Sequence, residues 1–377
     1  MIFIDFLERI DSHYNAGLPF VAYRKPNENK LNALLQNSDN LEVIKDFTEK
    51  GFVFSPFDDS ETSVLIPLSR SEKLESTFEI LETSETLPKK EKLRTRSAAD
   101  EEKETHIELV KSGVEAIENN QFKKVVLSRS EHVPLTENNP ISIFQKLLQH
   151  YASAFVYCWY HPKVGLWLGA TPETLVKIEG NRFSIMALAG TQNYKGSLAV
   201  KWQEKELQEQ QYVTDFILDN IKDTIDNINV SETETVKAGN LLHLKTKIWG
   251  VLKPNAILLK DLLYSLHPTP AVCGLPKLAA KDFILKNEHY KRGFYTGFLG
   301  ELNLETTAAP RSGRRNIENR AYAITRKSTQ LYVNLRCMQL KGNNAIIYVG
   351  GGITESSNPE SEWEETVSKS LVIKSVL

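Results

Sequence analysis

The chain has 377 residues, of which 41% are hydrophobic and 25% are charged, a balance typical of a globular protein with a large buried core. Its net charge of -2 provides no general field that would attract nucleic acid or an anionic membrane. No apolar run approaches the ~18 residues that cross a bilayer. Three scattered cysteines, Cys158, Cys273 and Cys337, are typical of a reducing cytoplasm. We therefore expect a cytoplasmic protein that binds neither nucleic acid nor a membrane.

The first hundred residues have a mixed pattern. An apolar period at Ile2, Phe6 and Ile10 predicts a helix and differs from the basic start and solid apolar run of a signal peptide. The segments FVFSPF and SVLIPL predict short strands. Apolar side chains almost vanish at residues 82–104, where charges of both signs alternate, which predicts a surface connection.

The rest of the chain contains a repeated pattern. A helical period at residues 106–117 precedes the strand-like segments KVVLSR, AFVYCWY and LWLGA. The segments TLVKIEGNRFSIMALAGT and LYVNLRCMQLKGNNAIIYVGGGIT then each predict two strands joined at a glycine-containing turn. A helical pattern follows each hairpin, with Val213 and Ile217 in the first and Val367 and Leu371 in the second. The repeat indicates two related halves.

Each of these two helices carries two glutamates three residues apart, Glu206 with Glu209 and Glu362 with Glu365, so each pair shares a helical face. One such pair alone is usually a solvated surface, but its occurrence in both halves favours a meeting of the four carboxylates. Clustered carboxylates repel unless a cation lies between them. Oxygen ligands without cysteine or clustered histidine favour Mg²⁺ or a similar ion over zinc. Because Mg²⁺ often binds ligand oxygens as well, a small anion is the expected partner.

The order of the motifs resembles a known family. The segments are FKKVVLSR, GATPETL, ALAGT, KELQEQQYV, HLKTKIWG, LHPTPAVCGLP, RGFYTGFLGE, VNLRCMQL and YVGGGITESSNPESEWEETVSK. Together they are similar to the chorismate-utilising enzymes over about residues 122–369. That family includes isochorismate synthases, salicylate synthases, anthranilate synthase component I and aminodeoxychorismate synthase component I.

The resemblance implies the fold of anthranilate synthase component I. This is an α/β (α+β) fold with two facing antiparallel sheets, helices on the outside and the active site between the halves. We expect residues 1–377 to form a single chorismate-binding domain, with an N-terminal part at 1–105 and a catalytic core at 106–377.

The resemblance also implies roles for individual residues. Lys124 matches the family lysine that deprotonates the attacking water, and Glu173 matches the glutamate that protonates the departing ring hydroxyl. Judged alone, the first would be a solvated lysine and the second a turn carboxylate. The base requires a depressed pKa and the acid a raised one. Lys123 would be the solvated neighbour.

The family's direct Mg²⁺ ligands match Glu209 and Glu365, and Glu206 and Glu362 match flanking positions that often act through water. The metal would hold the ring carboxylate of chorismate and spread the negative charge of the reaction. Other positions match substrate contacts, some of which would otherwise be core or turn residues: Gly190, Thr191, His243, His267, Thr269, Tyr295, Arg336, Gly350, Gly351, Gly352 and Lys369.

A few positions distinguish the family's activities. Aminodeoxychorismate synthase carries a nucleophilic lysine where this chain has Ala189, and we find no tryptophan-feedback motif typical of anthranilate synthase. We therefore expect an isochorismate synthase, with salicylate synthase as the main alternative, since the two share their base and acid. The chain departs from the family at Gln210, where histidine is usual, at Cys273, where glycine is common, and at residues 303–327, which predict a surface insertion.

An alternative of another class is a catalytically silent chorismate-binding protein, or a subunit that requires a partner. The intact Lys124, Glu173 and four-glutamate set argue against it. We expect a monomer or weak homodimer. Menaquinone, siderophore and salicylate pathways share this first step, so the sequence leaves the use of the product open.

Overall fold

The computed structural model describes residues 1–79, 96–135, 139–239, 241–253, 258–307 and 325–377. A short 3-10 helix spans Leu68–Arg70. The α-helices of these ranges are α1 Phe3–Asn15, α2 Arg96–Glu118, α3 Pro140–His150, α4 Glu204–Ile221, α5 Leu259–Leu266, α6 Lys277–Asn287 and α7 Pro359–Lys374.

The strands form two sheets in which every paired strand is antiparallel. The first sheet has nine strands in the order β15-β7-β19-β18-β9-β8-β1-β2-β6. Their bounds are β15 Gly274–Leu275, β7 Lys124–Pro134, β19 Asn344–Ile353, β18 Cys337–Lys341, β9 Gly165–Thr171, β8 Phe155–His161, β1 Phe20–Arg24, β2 Lys30–Gln36 and β6 Ser71–Thr77.

The second sheet has ten strands, nine of them in the order β12-β14-β11-β10-β17-β16-β4-β5-β3, with β13 also paired to β14. Their bounds are β12 Ile225–Val230, β14 Leu241–Leu252, β11 Arg182–Asn193, β10 Thr174–Glu179, β17 Thr325–Val333, β16 Phe298–Thr307, β4 Gly51–Ser55, β5 Val64–Pro67, β3 Glu42–Val43 and β13 Glu234–Ala238.

The two sheets pack against each other through an aromatic core. The rings of Phe155 in the first sheet and Tyr332 in the second are stacked with centroids 4.0 Å apart. The hydroxyl of Tyr23 also donates to Glu301 across the sheets at 2.6 Å. A buried tyrosine hydroxyl usually finds such a partner.

The helices cover the outer faces. Helices α1 and α3 pack on the first sheet, where Phe6, Ile10 and Phe144 are fully buried. Helices α4 and α5 pack on the second sheet through residues such as Ile217 and Leu263. The predicted arrangement of two facing antiparallel sheets with external helices is therefore confirmed.

The repeated hairpin-and-helix pattern is present, one copy in each sheet. Strands β10 and β11 precede α4 in the second sheet, and β18 and β19 precede α7 in the first. The sequence had indicated one continuous strand from LYV to MQL. The chain instead crosses between the sheets at Asn334, Leu335 and Arg336, since β17 belongs to the second sheet and β18 to the first. Arg336 has a φ of 48°, which ends the extended backbone there.

The predicted surface connection at residues 82–104 overlaps the start of a helix, and residues 100–104 of that helix are exposed or half-buried. Helix α2 begins at Arg96, because alternating charges are compatible with a helix that has one solvated face. Residues 80–95 lie outside the described residues, as does most of the predicted insertion at 303–327. Among the described residues, no helix is long and apolar enough to cross a membrane.

Candidate active site

A cavity lies where the two sheets and the helices α4 and α7 meet. Both sheets contribute to its wall. The lining residues are Val126, Pro172, Glu173, Leu188, Ala189, Gly190, Thr191, Glu209, His243, Ala271, Val272, Tyr295, Thr296, Leu335, Arg336, Tyr348, Val349, Gly350, Gly352 and Lys369. Nine of the predicted substrate or catalytic positions and one predicted metal ligand, Glu209, are therefore in the wall itself.

Lys124 is the first residue of β7 and is fully buried. Its Nζ lies 2.8 Å from Oε1 of Glu209, which places the amine directly behind a carboxylate of the cavity wall. Strand β15 packs tightly alongside, because a Cβ at Gly274 would overlap the carbonyl oxygen of Lys124. Lys123 is exposed, as predicted for the solvated member of the pair.

Glu173 lies in the turn between β9 and β10 and is only 2% exposed. Its backbone is fixed, since the peptide N–H donates to Thr171 Oγ1 at 3.3 Å and the carbonyl accepts from the N–H of Val333 at 3.0 Å. Burial raises the pKa of the Glu173 carboxyl to about 8, although the charge of Lys124 opposes this shift. A carboxyl with this pKa is largely protonated at neutral pH and has a proton to donate.

The predicted metal ligands converge on two glycines of β19. A Cβ at Gly352 would overlap Glu209 Oε1, and a Cβ at Gly351 would lie 3.2 Å from Glu362 Oε2 and 3.6 Å from Glu365 Oε1. The glutamates of α4 and α7 therefore approach the same short stretch of backbone. At Gly352 only a glycine leaves room for the carboxylate of Glu209.

Each of these three carboxylates has a lysine partner. Lys369 Nζ lies 2.7 Å from Glu365 Oε1 and donates to the carbonyl of Gly350 at 2.8 Å. Lys205 is ion-paired with Glu362. The third pair is Lys124 with Glu209.

The pKa values of the glutamates reflect the balance between burial and these lysines. Burial by itself would raise the pKa of Glu209, but the Lys124 ion pair outweighs it and lowers the pKa to about 2. For Glu362, burial raises the pKa despite the nearby charge of Lys205, and the charge of Glu365 raises it further. Additional positive charge beside Glu362 would favour its ionised form.

Glu206 has a different environment from its three partners. Its carboxylate accepts a hydrogen bond from the backbone N–H of Gln203 at 2.9 Å and forms a capping box at the start of α4. As placed, no three His, Cys, Asp or Glu side chains of the described ranges form a group that could hold a metal. Glu206 would have to leave its cap to join the other carboxylates.

Arg336 and His243 form a second part of the wall, where Arg336 carries the charge opposite to that of the glutamates. The imidazole Nδ1 of His243 lies 2.8 Å from the carbonyl of Gly190, and its Nε2 lies 3.1 Å from Nη2 of Arg336. Because Arg336 only donates, Nδ1 carries the proton. Burial, followed by the Arg336 charge, lowers the pKa of His243 to about 3, so the ring is neutral.

His267 and Thr269 are buried but absent from the cavity lining. The His267 ring packs edge-on against Phe298 with centroids 5.0 Å apart, and burial lowers its pKa to about 3. These two residues and Gly351 are therefore the predicted substrate contacts that lie outside the cavity lining. The nearby Ala271 and Val272 line the cavity instead.

The departures from the family pattern have structural counterparts. Gln210 does not orient Glu209; its amide donates to the carbonyl of Ala187 at 3.2 Å and to Thr246 Oγ1 at 2.9 Å, which links α4 to β11 and β14. Cys273 is fully buried beside β7. Burial raises the pKa of its thiol to about 12, so it is not a reactive thiolate.

Two residues of this region, Tyr348 and Lys205, were not predicted from the sequence. Tyr348 lines the cavity and stacks on Tyr295 with centroids 5.4 Å apart. Period-two alternation from Gly350 and Gly352 along β19 would have placed it on the same face. Lys205, next to Glu206 in sequence, carried no signal of its own.

Comparison with known proteins identifies the class. Family models described as chorismate binding enzymes match residues 59–315 and residues 322–375. The chain belongs to the chorismate binding enzyme family.

The individual relatives of the chain include proteins named as isochorismate synthases. Isochorismate synthase DhbC of Bacillus subtilis is 28% identical over 279 residues, which cover 69% of this chain and 64% of that protein. Isochorismate synthase MenF of Haemophilus influenzae is 26% identical over 302 residues, covering 78% of this chain and 64% of that protein. The matched region thus spans 64% of the length of each. The crystal structure of DhbC from Bacillus anthracis superposes with a TM-score of 0.76 at 21% identity, covering 98% and 99% of the two chains.

The crowding at β19 predicts a sharp effect of one methyl group. In Gly352→Ala the new Cβ overlaps Glu209 Oε1 and lies 3.1 Å from Lys124 Cε, so both side chains must move. Because a displacement of about 1 Å costs on the order of 10²-fold in rate, we expect a loss of that size in kcat. Gly351→Ala is the matched comparison, and its nearest neighbour at 3.2 Å predicts a milder loss. Equal activity of both variants and the wild type in a chorismate turnover assay would contradict this geometry.

Proposed function

We propose that the chain is an isochorismate synthase, which converts chorismate to isochorismate. One observation carries the proposal: the buried carboxyl of Glu173, whose pKa is raised to about 8, lines the same cavity as Glu209, and the fully buried Lys124 contacts Glu209 at 2.8 Å. The relatives DhbC and MenF, named as isochorismate synthases, support it. Ala189 lines the cavity, where the aminodeoxychorismate synthases of this family carry a lysine nucleophile.

The proposed reaction needs two proton transfers and no covalent intermediate. Lys124 acts as the base that takes a proton from water, and the resulting hydroxide forms a bond to ring carbon 2 of chorismate. The ring double bonds shift, the bond from carbon 4 to its hydroxyl breaks, and Glu173 donates the proton that makes the leaving group water. One water enters and one leaves, so the product is an isomer of the substrate.

The two carboxylates of chorismate need cationic or N–H partners. Arg336 and Lys369 line the cavity together with Gly350 and Gly352. Arg336 offers a planar fork of donors that suits a carboxylate, and its neutral neighbour His243 adds no competing charge. We propose that these groups hold the enolpyruvyl carboxylate.

We propose Mg²⁺ as the cofactor. The fit is in the donor set, since Glu209, Glu362 and Glu365 offer hard oxygen ligands around the backbone of β19. Glu209 and Glu365 would bind the ion directly, and Glu362 with Glu206 would hold its water. A bound Mg²⁺ would neutralise the ring carboxylate and stabilise the charge that develops in the reaction.

The cofactor proposal predicts a selective effect of removing one carboxylate charge. Glu365→Gln should raise the Mg²⁺ concentration for half-maximal activity by at least about 10- to 100-fold, because loss of a group that only supports a ligand already has an effect of that size. Glu364→Gln is the matched control, because Glu364 is the exposed neighbour on α7. Calorimetric titration with Mg²⁺ measures the same loss without turnover. Unchanged Mg²⁺ affinity in Glu365→Gln would contradict the assignment of this ligand.

A product assay tests the proposed function. The purified chain is incubated with chorismate and Mg²⁺, the products are separated by chromatography, and pyruvate is measured with a coupled dehydrogenase. We expect isochorismate without pyruvate. Stoichiometric salicylate and pyruvate would identify the salicylate synthase alternative, while chorismate binding without turnover would identify a silent binding protein.

The cellular setting is also a proposal. Cys158, Cys273 and Cys337 are all buried as free thiols, which is compatible with a reducing cytoplasm. We propose a cytoplasmic enzyme that acts as a monomer or weak homodimer, which size-exclusion chromatography with light scattering would test.

A further inference from the structure

A buried ion pair outside the predicted catalytic set connects the walls of the cavity. Glu288 directly follows α6, and Arg292 lies four residues later; both side chains are 2% exposed. The guanidinium donates to the carboxylate through two atoms, from Nε to Oε2 at 2.7 Å and from Nη2 to Oε1 at 2.6 Å. This is the bidentate geometry of a strong charge-assisted pair.

The remaining donors of Arg292 reach three separate parts of the cavity wall. Nη2 donates to the carbonyl of Val126 at 2.7 Å, and Nη1 donates to the carbonyl of Val272 at 3.0 Å. Nη1 also donates to Thr296 Oγ1 at 3.1 Å. All three acceptor residues line the cavity, although Arg292 itself does not. One side chain therefore fixes three wall segments that are distant in sequence.

The carboxylate of Glu288 continues the network along β7. Its Oε1 accepts from both the backbone N–H of Ser128 at 2.8 Å and the Ser128 hydroxyl at 2.7 Å. Ser128 is four residues after Lys124 on this strand and pairs with Gly350 of β19. The strand that carries Lys124 is thus held at two residues: Glu288 binds Ser128, and Arg292 binds the carbonyl of Val126.

Stability alone is a weak reason for such a pair. Taking both charges out of water is costly, and apolar residues of similar volume often replace a buried ion pair without loss of stability. Apolar side chains cannot, however, hold backbone carbonyls at fixed distances. The directional bonds to Val126, Val272 and Ser128 therefore suggest a role in geometry.

We propose that Glu288 and Arg292 are positioning residues, which set the distance between the strand bearing Lys124 and the opposite walls at Val272 and Thr296. The inference rests on the proposed function, because it assigns these residues to the reaction at the same cavity. Neither residue lines the cavity, so they act through Val126, Ser128 and their neighbours.

The test separates geometry from stability. In the double variant Glu288→Leu/Arg292→Met, both charges are replaced by apolar side chains, so no buried charge is left unpaired and the variant should still fold, with a lower unfolding temperature because the carbonyls of Val126 and Val272 lose their donors. We expect kcat for chorismate consumption to fall on the order of 10²-fold, as misplacement of a reacting group predicts. The KM for chorismate should change little, because Arg336 and Lys369 are untouched.

Two further variants complete the design. Arg292→Lys keeps the charge but loses the planar fork, so it should also lower kcat with little change in KM; it decides the question if the double variant does not fold. Arg24→Met is the matched control. Arg24 is a fully buried arginine that donates to the carbonyls of Leu148 and Tyr151 and does not line the cavity. Its loss should lower the unfolding temperature and leave kcat unchanged.

The outcomes distinguish the two proposals. Wild-type kcat in Arg292→Lys and in the folded double variant would overturn the positioning role alone. A KM that rises in step with the loss of kcat would also overturn it, since substrate binding would then be the function of the pair. A wild-type chain that consumes no chorismate would overturn the proposed function and the positioning role with it.

Discussion

Replacing Lys124 by alanine should lower the rate of isochorismate formation by about 10²- to 10⁴-fold, the range that a general base contributes. The side chain is fully buried and its Nζ contacts Glu209 in the cavity wall. A solvent-exposed lysine could therefore not act as the base in its place. Removing it also leaves the carboxylate of Glu209 without its nearest cation. The measurement is initial rate against chorismate concentration at saturating Mg²⁺.

Lys123→Ala is the matched control for this variant. Lys123 is the preceding residue and is exposed, so its loss should change stability little and leave the rate near that of the wild type. Circular dichroism would verify that both variants fold, and calorimetry would show whether chorismate still binds. Turnover at the wild-type rate in folded Lys124→Ala would refute its assignment as the base.

The repeated hairpin and helix show why part of the site was predictable. Strand alternation and helical period are local properties, so β10, β11 and α4 and their counterparts β18, β19 and α7 could be found without tertiary information. The spacing of Glu206 to Glu209 and of Glu362 to Glu365 then gave a shared face on each helix. The structure brings three of these four glutamates to Gly351 and Gly352.

The rest of the site depends on contacts between distant segments. Arg292 is an ordinary arginine in sequence, and only the fold brings Val126, Val272 and Thr296 within reach of its donors. Lys205 pairs with Glu362, 157 residues away. Hydrophobic periodicity does not predict such pairs, because it describes local structure and not which charged residues come into contact in the folded chain.

The same limit explains the differences between prediction and structure. Period-two alternation continued through Asn334 and Arg336, so the crossing between sheets had no local marker. The Asn334 side chain fixes this crossing instead, since it accepts from Tyr157 at 2.6 Å and donates to the carbonyl of Phe294 at 2.9 Å. Gln210 likewise donates to Ala187 and Thr246, and these partners are brought near it only by the packing of α4 on the sheet.

Glu173 should give the reaction a distinctive pH dependence. Its buried carboxyl has a pKa raised to about 8, and the protonated form is the one that can donate to the leaving hydroxyl. As pH rises through about 8, that form is lost, so kcat should decline on the alkaline side. Glu173→Gln has no proton to donate, and we expect its rate to fall about 10²- to 10⁴-fold, as for loss of a general acid.

The shape of the profile separates Glu173 from other groups that titrate. If this carboxyl is the acid, the residual rate of Glu173→Gln should no longer decline near pH 8, because the group responsible for the decline is gone. Glu179→Gln is the matched control: Glu179 lies at the exposed end of β10 and pairs with Lys177 at 2.9 Å, so the wild-type profile should persist. An alkaline decline that survives in Glu173→Gln would assign it to another group. The proton for the leaving hydroxyl would then have to come from elsewhere in the cavity.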